Sequence, residues 1–251
     1  MVRIVAHRGA RNLWAENSLS GFRRTAALAA DAVEFDVHGT RDGGVVVIHD
    51  ATLDRTTHAT GLVADRTVAE LAEVRLRDGH GDTVPTLEQV LEVFRPTGYE
   101  IQLEIKTDAL GRPYAGLEQK CIDIARRLGL IERTLFTSFA PEVLERIRAI
   151  DPKAGLLASV DRRSAEMMRG AGPMLDRFLA LEGCHIAVER NLMMTDPDWF
   201  VRRIGSDRVG VWMANTVDEI RHWMGQPIRQ ITTDRPDLAI LERDAIKQSG
   251  G

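Results

Sequence analysis

Two cysteines, Cys121 and Cys184, are all this 251-residue chain contains, and no CxxC or Cys/His spacing surrounds either. That scarcity excludes a disulfide framework and a thiolate zinc site, and it makes both thiols reduced core residues. Dense runs of Lys and Arg are missing too. With 33 basic against 37 acidic residues and a net charge of -4, nothing offers the electrostatic footprint of a nucleic-acid partner. No apolar stretch approaches bilayer-spanning length, so no stable membrane anchor is expected. The opening MVRIVAHRG turns polar too early for the apolar segment of a signal peptide, and a cytoplasmic location is the expectation. No GxGxxG or GxxxxGK[ST] sequence follows a strand-like run, which removes the usual nucleotide-cradling loops. At 44% hydrophobic and 28% charged residues, the composition excludes disorder and repeat arrays and suits one large α/β domain over residues 1–251.

What is present is a regular beat of short apolar runs and amphipathic stretches. Strands are expected at Val2–Ala6, Val33–Val37, Ile101–Ile105, Thr134–Ser138, Gly155–Ser159, His185–Val188, Val209–Met213 and Gln230–Thr233. Helices are expected near Ser18–Ala30, Leu87–Phe94, Leu117–Leu128, Pro141–Ile150, Ser164–Arg169, Pro197–Ile204, Val217–Trp223 and Pro236–Lys247, several opened by N-cap or Pro-first signals. Eight β-then-α pairs in this length fit a closed (β/α)8 TIM barrel better than an open doubly wound sheet. One segment breaks the beat. After Val33–Val37, the turn Arg41-Asp42-Gly43-Gly44 leads into an extra strand, Val45–Ile48, and residues 51–85 are a polar passage with a short helix expected at Val68–Val74. This small insertion follows the second barrel strand and therefore belongs over the barrel mouth.

Glu34 and Asp36 lie two apart in a strand, so both point to one face, where burying two like charges is costly without a cation or strong donors. A solvated sheet face would carry the same spacing, and the other strand ends decide between the two. Glu104 and Lys106 repeat that spacing, and on the barrel reading the C-terminal rim also gathers His7, Arg8, Ser138, Glu189, Trp212 and Asp234. Three carboxylates around one opening suit a hard divalent cation, Mg²⁺, Ca²⁺ or Mn²⁺ rather than zinc. Arg8 and Lys106 add the positive charge that phosphate chemistry wants. His7 ends the first strand and His49 ends the extra strand, an arrangement fit for a general acid and a general base about a phosphorus centre. His38, His58, His80, His185 and His222 share no strand end with an acidic cluster and are assigned to turns, surface or core. Arg8 also has Glu16 within reach as an ion-pair partner.

These residues resemble the glycerophosphodiester phosphodiesterase family along the whole chain. The likeness is carried by His7-Arg8-Gly9, Glu16-Asn17, Glu34-Phe35-Asp36, Asp42-Gly43, His49-Asp50 and Leu53-Asp54-Arg55-Thr56-Thr57. It continues through Pro85-Thr86-Leu87, Glu104-Ile105-Lys106, Ser138-Phe139, Trp212 with Asn215, and Thr233-Asp234. The resemblance implies a barrel with an insertion after the second strand, in agreement with the reading above. It implies one divalent metal, Mg²⁺ or Ca²⁺, on Glu34, Asp36 and Glu104, acid/base work by His7 and His49, and a phosphate held by Arg8 and Lys106. Trp212 would be an apolar wall beside the glycerol or headgroup, and Asn17 a hydrogen-bonding group near the site or the cap of the first helix. The substrate implied is a small glycerophosphodiester, cleaved to sn-glycerol 3-phosphate and an alcohol. Alternatives are a lysophospholipase D-type activity of the same family, a metal-independent phospholipase, and a non-catalytic binding barrel. The family often has WTVN where this chain has Trp212-Met213-Ala214-Asn215, and Glu189-Arg190 matches no family role. With Glu189 near the mouth, a cationic or neutral headgroup is expected to be preferred over an anionic one. The oligomeric state is left open.

Overall fold

Short runs rich in β-branched residues become strands in the computed structural model, which describes residues 1–249; residues 250 and 251 of the expected 1–251 unit lie outside the described residues. The strands are β1 (Arg3–His7), β2 (Ala32–Gly39), β3 (Val45–Val47), β4 (Glu100–Ile105), β5 (Thr134–Ser138), β6 (Gly155–Val160), β7 (His185–Glu189), β8 (Val209–Trp212) and β9 (Gln230–Thr233). All except β3 pair in parallel around a ring, β1-β2-β4-β5-β6-β7-β8-β9, and β9 returns to β1 with Arg3 opposite Gln230 and Ala6 opposite Thr233. The expected eight-stranded barrel is closed. β3 lies antiparallel on β2, with Val37 opposite Val47.

The helices are α1 (Leu19–Thr25), α2 (Val68–Leu71), α3 (Leu87–Phe94), α4 (Leu117–Arg127), α5 (Pro141–Ile150), α6 (Arg162–Met167), α7 (Ala171–Leu179), α8 (Arg190–Met193), α9 (Pro197–Ile204), α10 (Val217–Met224) and α11 (Pro236–Ser249). Three expectations need correction. α1 starts at the Ser18 cap but stops at Thr25 rather than Ala30, where the Tyr99 hydroxyl lies 2.7 and 2.9 Å from the carbonyls of Thr25 and Leu28 and can donate to either. α2 ends at Leu71, short of Val74. The helix expected at Ser164–Arg169 is α6, ending at Met167, and a helix not expected, α7, follows once Arg169 and Gly170 take φ of 65° and 122°.

Alternation along β2 divides its side chains between two surroundings. Phe35 points outward, edge-on to Phe22 of α1 at 5.6 Å, and Phe22 meets Phe94 of α3 at 5.8 Å, an aromatic cluster between barrel and helices. Glu34, Asp36 and His38 take the opposite face, which is the barrel interior. The 51–85 segment keeps a second apolar cluster with β3, made of Val46, Ile48, Leu53, Val63, Leu71, Leu76 and Val84. Among the described residues no helix is long and apolar enough to cross a membrane.

Candidate active site

Strand register assembles the acidic cluster. Across β2 and β4, Asp36 stands opposite Glu104, and across β1 and β2, Glu34 stands opposite His7. One carboxylate oxygen each from Glu34, Asp36 and Glu104 lies within 4.8 Å of the others, and all three residues are buried. Lys106 Nζ reaches Glu104 Oε1 at 2.6 Å and Asp36 Oδ1 at 3.5 Å, and Arg8 Nε lies 3.4 Å from Asp36 Oδ2. The Arg8 backbone N–H donates to Glu34 Oε2 at 3.2 Å.

These contacts are unequal, and the acids respond unequally. Burial opposes ionisation of Asp36, yet Lys106 and Arg8 hold its carboxyl below the ordinary range. Glu34 goes the other way: burial first, then the charges of Asp36 and Glu104, push it well above the usual carboxylate value. Ionising all three acids beside only two cations would leave a deficit of positive charge, and an oxygen-only set of donors is what a hard divalent cation binds. Asn17 sits beside this cluster. Its Nδ2 donates to Asp36 Oδ2 at 3.0 Å, its Oδ1 is buried without a partner, and the helix cap is Ser18, not Asn17.

Each histidine is held at Nδ1 by a carboxylate. His7 Nδ1 lies 2.5 Å from Asp234 Oδ1, which leaves Nε2 toward Glu34 Oε2 at 3.7 Å. Asp234 is itself fixed by Arg11 Nε at 2.8 Å and Asn215 Nδ2 at 2.7 Å, while the Asp234 backbone N–H donates back to Asn215 Oδ1 at 2.8 Å. His49 Nδ1 lies 2.6 Å from Asp50 Oδ1. Burial lowers the pKa of both imidazoles, opposed by Asp234 at His7 and by Asp36 at His49, so the unprotonated ring is favoured. His38, assigned from sequence to turn, surface or core, is a buried support: its Nε2 donates to the His49 carbonyl at 3.1 Å, so its Nδ1 accepts from the Tyr114 hydroxyl at 2.8 Å. Burial brings the His38 pKa down to about 4, which keeps that ring neutral.

His7, Arg8, Glu34, His49, Glu104 and Lys106 line one cleft of about 650 Å³ at the C-terminal end of the barrel. Trp212 forms part of the opposite wall, edge-on to Phe139 at 5.6 Å, with its Nε1 donating to the Ala187 carbonyl at 3.1 Å. A groove of similar volume, about 680 Å³, runs between α1 and α3 and contains none of the expected site residues. The expected residues therefore come together, with one exception among the rim groups. Glu189 does not line the cleft; it accepts the backbone N–H groups of Asn191 and Leu192, each at 3.0 Å, so its carboxylate caps α8. Sequence reasoning left Asp234, Asp50, Asn215 and His38 without roles. Only the adjacency of Asp50 to His49 was a visible signal, since the other contacts depend on barrel closure and on backbone carbonyls.

The model of the Glycerophosphoryl diester phosphodiesterase family matches residues 7–238. A glycerophosphodiester phosphodiesterase of Caldanaerobacter subterraneus subsp. tengcongensis is 35% identical over 161 residues, which are 61% of this chain and 65% of that relative. One of Bacillus altitudinis is 27% identical over 98% of this chain and 100% of its own length. A solved structure from Agrobacterium tumefaciens superposes with a TM-score of 0.89 at 31% identity, over 99% of each chain. With a family match running from His7 at the end of β1 into α11, the chain belongs to the glycerophosphoryl diester phosphodiesterase family.

Proposed function

We propose that this protein hydrolyses glycerophosphodiesters to sn-glycerol 3-phosphate and an alcohol in a metal-dependent reaction, with His7 and His49 as the acid/base pair. The observation that carries this reading is the pairing of two carboxylate-oriented histidines with a buried three-carboxylate cluster on one cleft. The names of the relatives support the substrate class. Glu34, Asp36 and Glu104 would hold one divalent cation, Mg²⁺ or Ca²⁺, which when bound supplies positive charge to the phosphate. Arg8 and Lys106, which pair with Asp36 and Glu104 of that cluster, would hold the phosphate oxygens. One histidine takes the proton of the attacking hydroxyl as its oxygen bonds to phosphorus. The other gives a proton to the leaving alcohol as its bond to phosphorus breaks.

A second reading is favoured by the far wall of the cleft. Phe139, Met167, Met168, Met174 and Trp212 make it apolar, and unbranched methionines adapt to alkyl chains. A lysophospholipid would place its chain there, giving lysophospholipase D-type cleavage at the same phosphorus. The non-catalytic barrel is disfavoured because both histidines and all three acids are in place.

The deciding assay measures glycerol 3-phosphate release from glycerophosphocholine and, in parallel, choline release from lysophosphatidylcholine, which lysophospholipase D-type cleavage frees together with lysophosphatidic acid. His7→Ala and His49→Ala are each expected to lower kcat by roughly 10²–10⁴ with folding retained. Near-normal turnover removes that residue from catalysis. Absence of glycerol 3-phosphate from every glycerophosphodiester, in every metal tried, restores the non-catalytic reading.

A further inference from the structure

Arg55, in the 51–85 insertion, uses all three guanidinium nitrogens on two carboxylates. Its Nε and Nη2 reach Asp50 Oδ2 and Oδ1 at 2.6 and 3.1 Å, and its Nη1 and Nη2 reach Glu16 Oε2 and Oε1 at 2.9 and 2.8 Å. Both acids are engaged on their other side by groups of the cleft. Asp50 Oδ1 accepts from His49 Nδ1 at 2.6 Å, and Glu16 Oε1 accepts from Arg8 Nη1 at 3.2 Å. A continuous chain His49, Asp50, Arg55, Glu16, Arg8 thus crosses the mouth, joining the β1–α1 loop, the end of the β3 hairpin and the insertion.

We propose that Arg55 is a positioning residue for the hydrolysis: by fixing Asp50 and Glu16 together, it sets the His49 ring and the Arg8 guanidinium in their working places. The inference rests on the phosphodiesterase reading above. Its physical basis is the fork. A planar guanidinium bonded at two points fixes the plane of each carboxylate, whereas a lysine ammonium supplies charge without that constraint. Asp50 has a short, partly exposed side chain, 26% accessible, that without a second partner is free to turn from His49 toward water. The Arg55 side chain is itself 46% exposed, and ion pairs so open to solvent contribute little to stability. Its removal should therefore change rate more than stability. The ionic states agree: burial opposes ionisation of Asp50, but hydrogen bonds from Arg55 and His49 hold its carboxyl down at about 2.

The test compares Arg55→Ala and Arg55→Lys with Arg41→Ala, which severs the Arg41–Glu70 pair (3.1 Å) elsewhere beside the insertion and leaves the chain to His49 intact. Arg55→Ala is expected to lower kcat roughly 10–100-fold, on the scale of lost outer partners of active groups, with a smaller change in KM. Arg55→Lys should recover part of the loss, and Arg41→Ala should keep the wild-type kcat. In Asp50→Asn background, Arg55→Ala should cost little more, because both changes break one chain. Proton NMR of the wild type should show a His49 Nδ1–H signal, identified by its loss in His49→Ala and broadened by exchange in Arg55→Ala. Wild-type kcat and an unaltered signal in Arg55→Ala overturn the proposal, as does an equal kcat loss in Arg41→Ala. If the wild type turns over no glycerophosphodiester, the phosphodiesterase reading falls while the proton signal still decides the role of Arg55.

Discussion

His7 and Asp234 are 227 positions apart in sequence, and their side chains meet at 2.5 Å, Nδ1 to Oδ1. Pairing of β9 with β1 makes this contact, since Thr233 stands opposite Ala6 and the next residue of each strand end turns into the mouth. Asp234 is held below the ordinary carboxylate range although burial opposes it, because His7 and Arg11 both hydrogen-bond to it.

Replacing Asp234 by Asn should lower kcat by about 10²–10⁴, because an amide can donate to Nδ1 and so select the other imidazole tautomer. KM should change less. Steady-state kinetics with circular dichroism as a folding control checks this, and a fully active variant would show that Arg11 and packing suffice to orient the ring.

Removing metal should abolish activity and destabilise the protein. If only the folded state binds the cation, saturation at 100 times Kd adds about 2.7 kcal/mol, so EDTA is expected to lower Tm by roughly 5–10 °C. Mg²⁺ or Ca²⁺ should restore both. Glu104→Gln should weaken metal affinity and activity together, and full activity after exhaustive chelation would refute the metal mechanism.

Glu189 was expected to select headgroups by charge, but it caps α8. Glu189→Ala should therefore leave the kcat/KM ratio of glycerophosphocholine to glycerophosphoserine unchanged while lowering stability by about 0.5–2 kcal/mol. A changed ratio in that variant would return the residue to the substrate site.

His185 gives a pH dependence with a definite sign. At the start of β7, its Nδ1 is buried without a partner, and burial followed by the Arg229 charge lowers its pKa to about 4 from an ordinary 6.5. Between these values the unfolded chain binds a proton that the folded one refuses, so stability falls as pH drops from 6.5 to 4. Denaturation of His185→Gln across this window should show a shallower decline than wild type. Parallel curves would mean that the ring is charged in the fold.

Much of the site is legible in sequence because β-strand alternation is local. Glu34 with Asp36, and Glu104 with Lys106, show their shared faces two residues apart, and the beat of strands and helices discloses the barrel. Register is not local, so nothing near His7 announces Asp234, and nothing near Tyr114 announces His38. Arg55 was visible only as part of a motif, since its two partners come from separate segments. Glu189 misled because an acid at a strand end is also a good acceptor for the first N–H groups of a following helix, and the four-residue α8 was too short to show periodicity.

The apolar cluster beneath the insertion has a consequence for how the molecule fails under stress. Ile48 belongs to that cluster and His49 is the next residue, so the histidine is anchored partly by a hydrogen bond to the barrel and partly by a small patch whose packing is separate from the barrel core. Patches of this kind open at lower free energy than the strands they lie on. Gentle heating or dilute denaturant should therefore silence the enzyme while the barrel still stands, and the patch works as a fuse: recovery on cooling needs only a short segment to settle again, not a chain to refold.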